Sequence, residues 1–232
     1  MAILRATDET GVYEIEGLGT KIRLLEWRAG SFYDSISFVS DGATPQSPGA
    51  QQQLFQNLNG KTRQFSNLDN NAGRLPALNE LITNRIGAHL LQSFGDTLIS
   101  DADIIKFAHA AYMRVSVNQT RLVFDAPLYT GQSGFGVTGS TTRNNTGVVT
   151  VGVPSAAAAP QLLVAQPIGP NDSIGTDSYI TLYQVNQANW AQLTATSVPA
   201  VSGVGAASMP IFETSVFATI FLDGLVKKPA TA

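Results

Sequence analysis

Apolar and polar positions alternate with period two along much of the chain, which predicts strands. SFYDSISFVSDG (31–42) places Phe32, Ile36 and Phe38 in step on one face and ends in a turn. GVVTVGV (147–153) aligns Val149, Val151 and Val153, and YITLYQV (179–185) is apolar on both faces, as a central sandwich strand would be. The longest run, IFETSVFATIFLDGL (211–225), sets Phe212, Val216, Ala218, Ile220 and Leu222 on a core face, with Asp223-Gly224 expected to supply a turn.

Residues 113–124 change phase: Met113, Val115 and Val117 are odd-numbered, whereas Thr120, Leu122 and Phe124 are even. One straight strand would throw one of these sets into water. A hairpin with Asn118-Gln119 as a two-residue loop resolves the conflict by pairing Val117 with Thr120, Val115 with Leu122 and Met113 with Phe124. Asn-Gln is a weaker turn signal than Asn-Gly, so a bulge is the alternative. One helix is predicted over 101–112. Ser100 and Asp103 form its capping pair, and Asp101 and Asp103 sit where the helix dipole favours anions. Its polar face is Asp103, Lys106 and His109, and its buried side Ile104, Ile105, Ala108 and Ala111. With further strands near Tyr13–Leu18, Leu54–Leu58 and Leu81–Leu91, the strand count reaches about eight. Long loops are expected near 41–53, 131–146 and 186–209. No repeat or linker divides the 232 residues, so a single domain over 1–232 is expected.

Composition narrows the function classes. Only 13% of residues are charged, about half the roughly 25% usual in soluble domains. The absence of cysteine removes disulfides, thiolate zinc sites and a cysteine nucleophile. A net charge of −3 without a basic block gives no expectation of direct nucleic-acid binding. Between Tyr129 and Val226 the only basic residue is Arg143, and the only acids are Asp172, Asp177, Glu213 and Asp223. A surface so poor in mixed charge suits a subunit covered by neighbours. The opening MAILRATDETG lacks a basic stretch leading into an apolar core, so no secretory signal is expected and the product is expected to stay in the cytoplasm until used. Ser178–Phe212 is uncharged, but its amides and prolines do not suit a membrane helix.

Candidate chemistry is sparse. Gly134-Phe135-Gly136-Val137-Thr138-Gly139 matches G-x-G-x-x-G, but it lacks the following helix and the acid about 20 residues on that a dinucleotide loop needs. Glu14 and Glu16 would share a strand face about 7 Å apart, a separation open to acid/base work, against the plainer reading of a solvated face. His89 and His109 have no partner at ligand spacing. Ser133 in GQSGF fails the nucleophile elbow because Phe135 replaces its final glycine. Asn118, Asn144 and Asn171 begin N-x-[ST] triplets better read as turns. Trp27 and Trp190 are candidate sugar platforms, with core or interface packing as the alternative. No catalytic residue, cofactor site or metal site is expected.

Five phrases occur in a characteristic order: SFYDSISFVSDG, then LFQNLNGKTRQFSNLDNNAGRLPALNEL (54–81), DAPLYTGQSGFG (125–136), QLLVAQPIGPNDSIGTDSYITLYQV (161–185) and SVFATIFLDGLVKKP (215–229). This order resembles the jelly-roll capsid proteins of tailless icosahedral bacteriophages. The resemblance implies an all-β fold, a single jelly-roll β-sandwich of about eight strands with one short helix. It also implies a capsid structural protein that self-associates into capsomers of an icosahedral shell, located in the virion after assembly in the host cytoplasm. Its implied partners are copies of itself, other virion proteins and an internal membrane. Many membrane-containing phages fuse two jelly rolls, whereas this chain has strands for one, so major, minor and vertex roles stay open. The alternative is a carbohydrate- or receptor-binding vertex or spike protein, which predicts Trp27, Trp190 or tyrosines on a sheet face with amides nearby. A third reading is a β-sandwich enzyme using Glu14 and Glu16.

Overall fold

The computed structural model describes residues 4–15, 18–68, 73–75, 79–92, 101–128, 142–143, 149–150, 161–183, 209–212 and 215–227. Along them run β1 (Leu4–Ala6), β2 (Val12–Ile15), β3 (Thr20–Arg23), a 3₁₀ turn (Leu24–Glu26), β4 (Trp27–Phe38), β5 (Gln51–Gln53) and β6 (Glu80–Gln92). Then come α1 (Asp101–Ala110), β7 (Ala111–Val117), β8 (Arg121–Pro127), β9 (Thr142–Arg143), β10 (Val149–Thr150), β11 (Gln161–Ile168), β12 (Tyr179–Leu182) and β13 (Val216–Lys227). The described residues are mostly strand, and every pairing is antiparallel.

Two four-stranded sheets, ordered β11-β6-β13-β4 and β5-β12-β7-β8, enclose the main core. β13 has the β-branched and aromatic run VFATIF and lies inside the first sheet, paired from Val216 to Lys227 with β4 on one side and β6 on the other. Its even residues Val216, Ala218, Ile220 and Leu222 are buried, as are Phe32, Ile36 and Phe38 of β4 and Met113, Val115 and Val117 of β7. β12, held between β5 and β7, buries Ile180 and Leu182 inward and also covers Thr181. Phe107 of α1 closes one end of the sandwich, its ring centroid 5.4 Å from Phe38 and 5.9 Å from Phe212. A separate sheet, β1-β2-β3, packs Ile15 and Ile22 on Ile82, on the side of β6 away from the core. β9 and β10 pair with each other.

Several expectations need correction. Asp223-Gly224 is not a turn, because β13 runs through it to Lys227. Opposite it β6 carries a bulge: Asp223 pairs with Arg85 and Gly224 with Thr83, leaving Asn84 as the extra residue. A Cβ on Gly224 would lie 1.9 Å from the Ile82 carbonyl oxygen, so glycine is needed here for close backbone approach. The hairpin at 113–124 forms, but in another register. Asn118 and Gln119 are left-handed (φ 54° and 63°), Val117 pairs with Arg121, and a shift at Val123 sets Val115 opposite Phe124 and Met113 opposite Ala126. Leu122 consequently pairs with Ser116 and stands exposed, so the six residues do not share one face.

The helix stops at Ala110 instead of Tyr112, because Ala111 and Tyr112 already pair with β12. Asp103, assigned to its polar face, is buried and bonds Lys106 Nζ at 3.3 Å. Leu54–Leu58 is not a strand; Leu54 and Phe55 enter the core as a bend, and the strand is the preceding Gln51–Gln53, inside the expected 41–53 loop. Within the expected 131–146 loop, β9 occupies 142–143, and most of 186–209 lies outside the described residues.

Candidate functional site

The sequence-selected residues do not gather. Glu14 pairs across β2 with Arg5 on one side and Lys21 on the other, a charge-matched sheet face, and Glu16 lies outside the described residues. His89 is opposite Thr219 on β6, and His109 ends α1, where burial lowers its pKa. Among the described residues no group of three His, Asp or Glu side chains could hold a metal. Asn118 and Asn171 do occupy turns. Ser133, Gly134, Gly136, Gly139, Asn144 and Trp190 lie outside the described residues.

Trp27 opens β4 and lines a cleft of about 350 Å³ with Glu9, Lys21, Arg23 and Glu26. Lys227 Nζ stands 6.0 Å from the Trp27 ring centroid and bonds Glu80 at 3.2 Å. The cation stands over one face of the ring, and no amide side chain lines this cleft.

The two outer sheet faces differ in kind. On the first sheet, Ser35 and Ser37 of β4, Phe217, Thr219 and Phe221 of β13 and Gly87 of β6 lie side by side in register, without a charge among them. Ser35 Oγ and Thr219 Oγ1 bond at 2.8 Å, satisfying each other within this face, and Phe217 and Phe221 stay partly exposed.

The second sheet turns tyrosines outward. Met113 and Val115 point into the core, so Tyr112 and Arg114 point out; Ile180 and Leu182 point in, so Tyr179, Thr181 and Tyr183 point out. Pairing sets Gln53, Tyr179, Arg114 and Asp125 in one row across four strands, and Gln51, Thr181, Tyr112 and Pro127 in the next. Arg114 Nη2 meets Asp177 Oδ2 at 2.8 Å. Burial works against the Arg114 charge, but the Asp177 carboxylate and a hydrogen bond to Tyr179 raise its pKa above the ordinary value. Tyr112 is also raised, first by its hydrogen bond to Asp125. Its ring meets Tyr183 edge to face, centroids 6.0 Å apart. The carbohydrate-binding alternative expected tyrosines on a sheet face without saying which; the usable signal was the shared outward parity of Tyr112 on β7 and of Tyr179 and Tyr183 on β12.

The ends of the sandwich differ too. β4, β6, β8 and β12 finish at the end where α1 lies, and β5, β7, β11 and β13 begin there. Among the described residues of the connections at that end, 39–50, 101–110 and 209–212, the charged ones are Asp41, Asp101, Asp103 and Lys106. Val39 and Ile211 are exposed there. The opposite end holds the ion pairs Arg121–Asp172 and Lys227–Glu80.

No protein-family model and no curated protein matches this chain.

Proposed function

We propose that this chain is a virion structural subunit, a single jelly roll that self-associates into capsomers of an icosahedral shell. The order of the eight sandwich strands supports the jelly-roll reading. Taken along the chain as β4, β5, β6, β7, β8, β11, β12 and β13, they pair from the outside inward: β4 with β13, β5 with β12, β6 with β11 and β7 with β8. A long antiparallel ribbon folded on itself gives this nesting. Rolling the ribbon then adds the contacts β6·β13 and β7·β12, which yields two sheets linked by Greek-key crossings.

A fold does not imply a function, so the assembly reading rests on surfaces. The observation that carries it is the uncharged row of Ser35, Ser37, Phe217, Thr219 and Phe221 on the first sheet, with Phe217 and Phe221 partly exposed. Interface centres are depleted of charged residues and enriched in aromatics, and symmetric copies burying such patches build closed shells without further chemistry. In this reading the partners are copies of the same chain and other virion proteins, and the location is the virion. Negative-stain imaging of the expressed full chain tests it. Rings or closed particles are the expected result; a featureless field of monomers at high concentration would overturn it.

A further inference from the structure

We propose that the outward face of the sheet β5-β12-β7-β8 binds a neutral oligosaccharide, with Tyr112, Tyr179 and Tyr183 as ring platforms and Gln51, Gln53 and Arg114 as hydrogen-bonding groups. The face belongs to four strands that pair in register, so its side chains sit on a rigid frame. Tyr183 is 54% exposed, and Thr181 is buried between the larger side chains of the face. The Tyr112 ring is held by Asp125 and by its edge contact with Tyr183, and Arg114 is held by Asp177 and Tyr179. Such preorganisation lowers the ordering cost of binding, and tyrosine gives large amphipathic contact for little lost rotamer freedom.

Charge selects the class of occupant. Arg114 is matched by Asp177, and Asp125 accepts from Tyr112, so no surplus cation is left on this face to attract a polyanion. The groups that remain suit hydroxyl-rich, uncharged rings: amides that both donate and accept, and aromatic faces for C–H surfaces. Size points the same way. Three strand spacings by four residues is about 14 by 13 Å, or about 200 Å². A stable protein interface needs about 800 Å² on each partner. The patch is too small to hold a second copy alone and is of the scale of a few sugar rings.

Isothermal titration of the full chain with maltohexaose, cellohexaose and chitohexaose, and with a heparin hexasaccharide as the anionic arm, tests the proposal. At least one neutral oligomer should bind, and Tyr183→Ala and Tyr112→Ala should each weaken it about ten-fold, with Trp27→Ala unchanged. Tyr183→Phe, which keeps the ring, should retain most of the affinity. Matched thermal unfolding of the variants separates lost binding from lost fold. Binding to none of the neutral oligomers, binding to heparin alone, or neutral binding that survives Tyr183→Ala would each overturn it. The site does not depend on self-association, so particle images of Tyr183→Ala separate its failure from that of the assembly reading.

Discussion

Asp34 is a fully buried carboxylate on the core side of β4, and one segment supplies both of its donors. The Phe55 N–H reaches Oδ2 at 2.8 Å, and Lys61 Nζ reaches Oδ1 at 2.7 Å. Phe55 is itself left-handed (φ 61°) with its ring wholly buried, so the core contact and the carboxylate together hold a backbone state that a bulky residue avoids. Removing the cation leaves a buried charge without compensation. Lys61→Met should therefore cost about 3 kcal/mol, read as a lower urea midpoint at unchanged slope, whereas Asp34→Asn with Lys61→Met should recover part of that loss. Gln119 and Asn118 make a second pair of predictions. Both are left-handed, but only Asn118 uses its side chain, donating to Asp172 at 2.6 Å and accepting from the Ser173 N–H at 2.8 Å. Gln119→Gly should stabilise by about 0.5–1 kcal/mol and Asn118→Gly should destabilise, both measured by chemical denaturation.

Elements show what the sequence made legible and what it hid. Inward faces with period two, such as Phe32, Ile36 and Phe38 or Val216 through Leu222, were readable because the large apolar side chains of these strands are buried on one face. Gln51–Gln53 was not, since three exposed glutamines carry no pattern and backbone pairing with β12 alone makes them a strand. The Asp223-Gly224 pair carries a turn signal that the partner strand overrides: β6 bulges at Asn84, and the glycine admits the Ile82 carbonyl. A comparison of two glycines checks this. A Cβ at Gly224 meets backbone at 1.9 Å, whereas one at Gly87 meets the end of the Phe221 ring at 2.3 Å, on a partly exposed side chain that can swing away. Gly224→Ala should abolish folding or cost more than about 3 kcal/mol, with Gly87→Ala clearly milder, by thermal unfolding of both. Which tyrosines share a face was hidden for a related reason: Tyr112 and Tyr179 come together only once pairing sets β7 beside β12.

Over the whole molecule, two carboxylates with lowered pKa contribute to the acid dependence from opposite ends of the sandwich. Asp41 accepts from the Thr44 hydroxyl and from the Thr44 and Ala43 N–H groups, which lowers its pKa from 3.8 to about 2. At Asp172 burial raises the pKa, but the Gly169 N–H, the Asn118 amide and the Arg121 charge outweigh it and hold the carboxyl below its ordinary value. The unfolded chain takes up these protons first as pH falls, so their stabilisation is complete above about pH 4 and is lost between about pH 4 and 2. The thermal midpoint should fall over that window, and Asp41→Asn with Asp172→Asn should flatten the fall. Between the two ends the molecule divides its surfaces: a tyrosine-lined sheet face on one side, and on the other the uncharged row of Ser35, Ser37, Phe217, Thr219 and Phe221, which ends at the Asp223–Arg85 pair. The second kind of surface is the central claim, and sedimentation velocity of the full chain over a rising concentration series, beside Phe217→Glu, tests it most directly. Species heavier than the 24.5 kDa chain should grow with concentration and disappear in Phe217→Glu at unchanged far-ultraviolet circular dichroism; a single 24.5 kDa species at every concentration, or assembly indifferent to the substitution, would contradict it.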